Sequence, residues 1–283
     1  HSERPDSSER CILKGKLIVH WKGRDDAAGI PVPGRLAVEE LQVLRAQGPP
    51  PFREIAVIDP LSFNKPPSCS PLLSQDLDGD GLSELVVVGA NLLFRNKRGG
   101  RFEKEDFLQV PFPMPSDAGI LADFTGDGHI DFVGASRHTM KLLLFEGDAN
   151  GRFAKTGRTC FPDQLQHPQV LTAGDLDSDG DLDLFLGQYR TPYFDGSMPT
   201  PFHDAKDGHP DFLLLNNGSG LFSNATESSG LSPKRNRRTY GASFVDLDED
   251  GDLDLAVTAD FAGLDLYLND GKGNFTDVTE KWA

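Results

Sequence analysis

Residues 246–254 read Asp246-Leu247-Asp248-Glu249-Asp250-Gly251-Asp252-Leu253-Asp254, and the stretch decides the fold because the chain carries it four times. The other copies are Asp76-Leu77-Asp78-Gly79-Asp80-Gly81-Leu82-Ser83-Glu84, Asp123-Phe124-Thr125-Gly126-Asp127-Gly128-His129-Ile130-Asp131 and Asp175-Leu176-Asp177-Ser178-Asp179-Gly180-Asp181-Leu182-Asp183. Each copy puts oxygen-bearing side chains at loop positions 1, 3, 5 and 9 and glycine at position 6. Hard cations such as calcium gather roughly six to eight oxygen ligands at once. Alternate side chains of a tightly turned loop converge on one point, and the glycine permits the sharp turn. The loops therefore read as up to four calcium sites. The ligands are Asp76, Asp78, Asp80 and Glu84; Asp123, Thr125, Asp127 and Asp131; Asp175, Asp177, Asp179 and Asp183; and Asp246, Asp248, Asp250 and Asp254.

An EF-hand needs a bidentate Glu at position 12 and flanking helices. Here position 12 is Val87, Gly134, Leu186 or Val257. Short branched apolar runs follow the loops, such as 85–89, 184–187 and 255–258, and these read as buried strands. The loop therefore joins two strands of a sheet. Solvated Asp-Gly hairpins are the ordinary alternative for one such turn; four in matching register argue for metal. Fewer charged ligands weaken a calcium site, so the second loop, with Thr125 at position 3, ranks weakest.

The loops start at 76, 123, 175 and 246, spacings of 47, 52 and 71 residues. After each comes a second motif: 91–96 to Gly100-Arg101-Phe102, 141–146 to Gly151-Arg152-Phe153, 212–217 to Gly220-Leu221-Phe222, and 265–270 to Gly273-Asn274-Phe275. A strand, a glycine turn and a Phe opening the next strand make a hairpin signature. Four strands per unit and a period near 50 point to an all-β β-propeller of four-stranded blades with calcium-binding loops.

The Asp-x-Asp-x-Asp-Gly-x-x-Asp-Leu loop with its Leu-x-x-Asn-x-Gly-x-Gly-x-Phe hairpin resembles the FG-GAP/VCBS repeat family, which includes integrin α-subunit propellers. The fourth repeat, 240–279, is most similar to the cartilage acidic protein type of secreted propeller and its bacterial relatives. The resemblance covers roughly residues 70–283. It implies adhesion, ligand binding or docking, or an accessory domain of an enzyme. Family members more often close with seven blades, whereas this chain offers about five; it is either a small propeller or an excerpt of a longer one, and a partner chain completing the ring is one expectation.

Residues 1–10 read as a disordered tail and 11–283 as a single propeller domain. Within it, 11–70 form a degenerate metal-free blade and 71–283 the four calcium repeats. Ile12–Val19 and Glu54–Ile58 read as strands, and Leu36–Gln47 as a strand or a short helix. Cys11, Cys69 and Cys160 allow one disulfide at most, with Cys11–Cys69 the expected pair.

The formal charge is −16, from 44 acidic and 28 basic residues. Fifteen of the acids are the loop carboxylates, and four calcium ions would halve the net charge. The balance excludes nucleic acid, which needs a basic footprint. Lys234-Arg235-Asn236-Arg237-Arg238 is the one basic cluster, either a solvated loop or an anion site. No apolar run approaches the ~20 residues of a membrane helix. Millimolar calcium outside cells suits weak sites, and His1 is what signal-peptide removal would leave, so the expected location is extracellular or periplasmic.

An insertion at 188–210, aromatic and proline-rich, explains the longest spacing. Tyr189, Tyr193 and Phe194, with His203, are the candidate ligand-binding residues. The aromatics either stack on a sugar or a partner's side chain, or pin the loop to its own blade. His203, Asp204 and His209 read as a catalytic or transition-metal cluster or as solvent-facing residues. No Gly-x-Ser-x-Gly elbow, phosphate loop or dinucleotide fingerprint occurs. The expected function is a protein- or glycan-binding module, not an enzyme. A domain of a polysaccharide-degrading enzyme and a fixed subunit of a complex are the alternatives.

Overall fold

The branched apolar runs after the acidic loops form strands, as their composition favours. The computed structural model describes residues 9–24, 31–47, 70–113, 118–192, 198–199 and 201–282. Four sheets carry the repeats. Blade I holds β3 (Leu72–Gln75), β4 (Glu84–Val87), β5 (Leu92–Asn96) and β6 (Phe102–Asp106), and blade II holds β7 (Ala118–Ala122), β8 (Asp131–Ser136), β9 (Lys141–Phe145) and β10 (Arg158–Thr159). Blade III holds β11 (Pro168–Gly174), β12 (Asp183–Gln188), β13 (Phe212–Asn216) and β14 (Phe222–Asn224). Blade IV holds β15 (Arg238–Val245), β16 (Asp254–Asp260), β17 (Gly263–Asn269) and β18 (Phe275–Asp277). Every blade is an antiparallel meander in chain order, and neighbouring first strands lie side by side: β3 by β7, β7 by β11, β11 by β15. The fold is the all-β, four-stranded-blade architecture of a propeller.

Register places the acidic loops. The residue before loop position 1 pairs with position 9 in every blade: Gln75 with Glu84, Ala122 with Asp131, Gly174 with Asp183, Val245 with Asp254. Each loop therefore closes the turn between a blade's first and second strands.

Three apolar cores fill the spaces between consecutive blades. Leu77, Val86, Leu93, Phe132 and Phe153 belong to the first, Phe124, Leu144, Leu184, Leu214 and Phe222 to the second, and Leu176, Phe185, Leu255, Tyr267 and Phe275 to the third. In each, loop position 2 of one blade (Leu77, Phe124, Leu176) shares a core with the hairpin Phe of the next (Phe153, Phe222, Phe275). The outermost equivalents, Phe102 of blade I and Leu247 of blade IV, are only half-buried.

Blade II departs from the expected hairpin. Phe153 makes a single bridge to Gly147, and the fourth strand forms only at Arg158–Thr159. Gly157 precedes it, where a Cβ would stand 2.6 Å from the Phe145 ring.

Residues 9–47 differ more. β1 (Glu9–Arg24) and β2 (Pro31–Gln47) pair as one long antiparallel hairpin. The chain divides into two compact units, His1–Val57 and Ile58–Ala283, where the sequence suggested one domain from 11 to 283. Strands of 16 and 17 residues use up the length between 9 and 47, leaving none there for the second hairpin of a blade. Leu36–Gln47 resolves as strand, and residues 9 and 10 open β1 rather than ending a tail. Residues 1–8, the strand expected at 54–58, and Cys69 lie outside the described residues. Cys160 is a buried free thiol in the second core, pushed up to about 12 by that burial.

Asparagines tie the blades together. Asn216 Nδ2 donates to Phe124 O (2.9 Å) in blade II, and Asn269 Nδ2 to Leu176 O (2.9 Å) in blade III. Asn269 also reaches Leu253 O at 3.1 Å. Asn269→Ala should cost roughly 1–3 kcal/mol in urea unfolding, because buried carbonyls lose their donor; an unchanged midpoint and slope would contradict the tie.

Candidate metal sites and a groove at the opposite end

The turn needs two left-handed residues. Position 6 is glycine in every loop, with φ from 83° to 96°. Position 4 also has positive φ: Gly79 and Gly126, but Ser178 (61°) and Glu249 (65°) in the last two loops. Position 4 went unremarked in the sequence because only half the copies mark it with glycine.

Position 1 wraps the turn. Asp76 accepts from the N–H groups of Gly79 and Gly81, both at 2.9 Å, and Asp123 from those of Gly126 and Gly128. Asp175 and Asp246 accept from position 6 alone among the described bonds, Gly180 at 3.2 Å and Gly251 at 3.1 Å. Position 5 caps the exit: Asp80, Asp127, Asp179 and Asp250 each accept from the N–H two residues on, at 2.9–3.0 Å.

Position 9 has a second role that spacing does not reveal. Glu84, Asp131, Asp183 and Asp254 are all buried. One oxygen accepts from the N–H of loop position 2: Leu77 (2.9 Å), Phe124 (3.0 Å), Leu176 (3.1 Å) and Leu247 (2.7 Å). The other accepts from the N–H at the end of the hairpin's first arm: Asn96 (3.2 Å), Gly147 (2.9 Å), Asn216 (2.9 Å) and Asn269 (2.8 Å). The carboxylate braces loop to hairpin.

Three acidic clusters can hold a metal ion, each with ligand oxygens within 4.8 Å of one another: Asp76, Asp78 and Glu84; Asp175, Asp177 and Asp183; Asp246, Asp248 and Asp250. The loop at 123–131 makes no such cluster among the described residues, and its Thr125 hydroxyl donates to Asp131 Oδ2 at 3.1 Å. The loop at 175–183 fits a cation best. Asp175 Oδ1 and Asp177 Oδ1 are buried with no hydrogen-bond partner. Burial pushes Asp183 up to about 6 despite its backbone donors, and raises Asp177, which Asp179 and Asp175 raise further. Unmet anionic oxygens in one place call for a cation.

The first loop is different. Arg95, buried, lies with Nη1 3.7 Å from Asp78 Oδ2, while its Nη2 donates to Gly151 O at 2.7 Å in blade II. A fixed guanidinium beside a ligand carboxylate opposes an incoming cation.

The insertion is fastened by charge and by ring contacts, Phe202 packing edge-on against Phe261 of blade IV at 5.1 Å. Asp207 accepts from Arg238 Nε (3.0 Å) and Nη2 (2.8 Å), and this bonding holds its carboxyl below the usual range. Asp204 pairs with Arg237, which also meets Asp265 at 2.6 Å. The basic run 234–238 is thus no solvated loop: Arg237 and Arg238 are buried, Lys234 meets Asp265 and Asp277, and Arg235 covers Phe212. Tyr189 donates to Asp260 Oδ2 at 2.8 Å, linking blade III to blade IV. Tyr193 and Phe194 lie outside the described residues. His203 is exposed and packs edge-on against Phe202.

His209 and Tyr189 instead line a cavity of about 840 Å³. Arg137 follows β8, Gln166, His167 and Gln169 flank or open β11, Arg190 and Thr191 follow β12, and Tyr240 opens β15. These are the strand ends opposite the metal loops. The sequence offers Tyr189 and His209 as candidates; the rest of the wall gives no sequence signal because it comes from short, separated segments.

The FG-GAP-like repeat family model matches residues 123–186 and 246–283. Cartilage acidic protein 1 of Xenopus tropicalis is 29% identical over 180 residues, 60% of this chain and 25% of that protein. The chain thus spans a quarter of that relative's length. Among solved structures, the Photorhabdus luminescens Tc holotoxin pore matches with TM-score 0.38 and 16% identity, over 94% of this chain and 12% of that one. Trypanosoma rangeli sialidase in complex with sialic acid matches with TM-score 0.30 and 9% identity, over 95% and 38%.

Brace and ligand roles separate by mutation. In metal-free protein, Asp254→Ala should lose roughly 2–4 kcal/mol, since two N–H donors lose their acceptor. Asp248→Ala should show its effect only when metal is present. Equal losses by urea unfolding without metal would contradict the brace.

Proposed function

We propose that this β-propeller chain, in which residues 123–186 and 246–283 match an FG-GAP-like repeat model, is a calcium-stabilised binding or docking module working outside the cytoplasm, not a catalyst. The observation that carries this reading is the pair of buried, partnerless oxygens on Asp175 and Asp177. All-oxygen donors on a flexible turn suit calcium rather than a softer metal. A bound ion supplies positive charge to carboxylates that otherwise repel one another.

The chain's own residues do the rest. Asp175 and Asp177 offer the unmet oxygens, and Asp183 keeps the loop registered against Asn216. Loop position 2 sits in the core between blades, so order in the loop is order in the core. Ion binding is thereby linked to folding. Asp76, Asp78 and Glu84, and Asp246, Asp248 and Asp250, would hold further ions, the first weakened by Arg95. The calcium level outside cells suits exposed, incompletely charged loops of this kind. No helix among the described residues is long and apolar enough to cross a membrane.

Binding rather than catalysis is favoured by how the candidate catalytic groups are used. Asp204 is committed to Arg237, His203 stands on the surface, and His209 lines the cavity. The module reading leaves protein and glycan ligands open.

A chelator should lower the melting temperature, and calcium restore it. One site at a hundred times its Kd contributes about 2.7 kcal/mol, on the order of 5–10 °C for a unit of this size. Superimposable melting curves with calcium and with chelator would overturn the calcium role.

A further inference from the structure

Tyr240 is 63% exposed at the mouth of the cavity opposite the metal loops, an unusual place to leave a large aromatic ring. The backbone there is built for display. Pairing of β15 with β16 shifts register between Thr239 and Gly241, at Tyr240, and pairing of β11 with β12 shifts between Pro168 and Val170, at Gln169. Bulges of this kind re-aim side chains and recur beside binding sites. Both bulged residues line the same cavity.

The lining is electrically opposite to the chain. In a protein of net charge −16, the cavity wall carries the guanidinium groups of Arg137 and Arg190, the imidazoles of His167 and His209, and no carboxylate among its described residues. The nearby acids are engaged: Asp207 with Arg238 and Arg190, and Asp260 with Tyr189. Burial lowers His209, and the charges of Arg190 and Arg238 lower it further, the mark of a positive local field.

The cations are held in place. Arg190 Nη1 donates to Asp207 O at 2.9 Å. Arg137 Nη1 donates to His167 Nε2 at 2.8 Å, which leaves the imidazole proton on Nδ1, 3.5 Å from Thr191 Oγ1. Fixed guanidinium groups suit a carboxylate. Tyr189 and Tyr240 meet nearly edge-to-face, 5.7 Å apart at 81°, giving apolar ring surface beside those charges. Gln166, Gln169 and Thr191 add neutral hydrogen-bonding groups of the kind sugar hydroxyls use. A concave volume of about 840 Å³ lies in the size range of small-ligand sites, roughly 300–1,000 Å³. An extended peptide or a flat protein interface would not need that concavity.

We propose that this cavity binds a saccharide carrying a carboxylate: Arg137 and Arg190 engage the acid, and Tyr189 and Tyr240 pack against the sugar ring. The site rests on the binding-module reading above and narrows its ligand class.

The test is calorimetric titration of the calcium-saturated full chain with a galacturonate trisaccharide and with its neutral methyl ester. The acid should bind saturably and at least tenfold tighter than the ester. Arg137→Gln and Tyr240→Ala, both at exposed positions, should each weaken acid binding about tenfold. Melting curves run with and without calcium on the same samples show that each variant is folded and test the calcium clamp separately. A chain with calcium-dependent melting that binds neither sugar, or both equally, would overturn the cavity's assignment alone. Unchanged acid binding in both variants would also overturn it. A penta-glutamate peptide binding as tightly as the trisaccharide would overturn the sugar class.

Discussion

One buried carboxylate per blade, at loop position 9, holds the repeat together. It stands at the first residue of a blade's second strand, in register with the residue before the loop. From there it accepts the position 2 N–H of the loop, with that of Thr125 as well in blade II, and one N–H from the hairpin. Buried anions are costly unless hydrogen-bonded; each oxygen of these four has a backbone donor, and burial still raises Asp131 and Asp183 above the usual carboxylate range. The bond to position 2 also fixes the side chain that enters the core between blades. Acidic loop, sheet register and blade packing are therefore one mechanical unit rather than three features.

The four loops differ in how much negative charge their own backbone absorbs. At Asp76 and Asp123 both oxygens are met by glycine N–H groups, while Asp175 keeps a buried oxygen without a donor. Counting acidic residues ranks the loop with Thr125 last, and among the described residues it alone lacks a three-carboxylate cluster. Counting alone misses Arg95, which brings a cation to the first loop from a strand many residues away. What surrounds a loop, as well as its own carboxylates, decides how well it suits a cation.

Much of the blade architecture was legible because it repeats. Acidic loop, branched run, glycine turn and Phe recur in register, and period-two strands with glycine punctuation leave little choice of topology. What repeats only in part was harder to read: the positive φ at Ser178 and Glu249, and the displaced fourth strand of blade II. The stretch from 9 to 47 lacks the repeat altogether, and its two long strands look in sequence like any apolar runs. The basic run 234–238 misled because its partners, Asp204, Asp207, Asp265 and Asp277, are distant in sequence, so burial by ion pairing leaves no local pattern. The cavity around Tyr240 is a related case: the insertion supplies Tyr189 and His209 as candidates, but the other segments of its wall are unremarkable alone and meet them only in the fold.

The most direct measurement is amide hydrogen exchange, resolved by residue, at loop position 2 and at the hairpin arm: Leu77, Phe124, Leu176 and Leu247, with Asn96, Gly147, Asn216 and Asn269. If the position 9 carboxylates brace the blades, these amides exchange as slowly as the central strands, and Asp183→Ala speeds Leu176 and Asn216 together. Exchange at the rate of exposed turn amides, or independent responses at Leu176 and Asn216, would contradict the account.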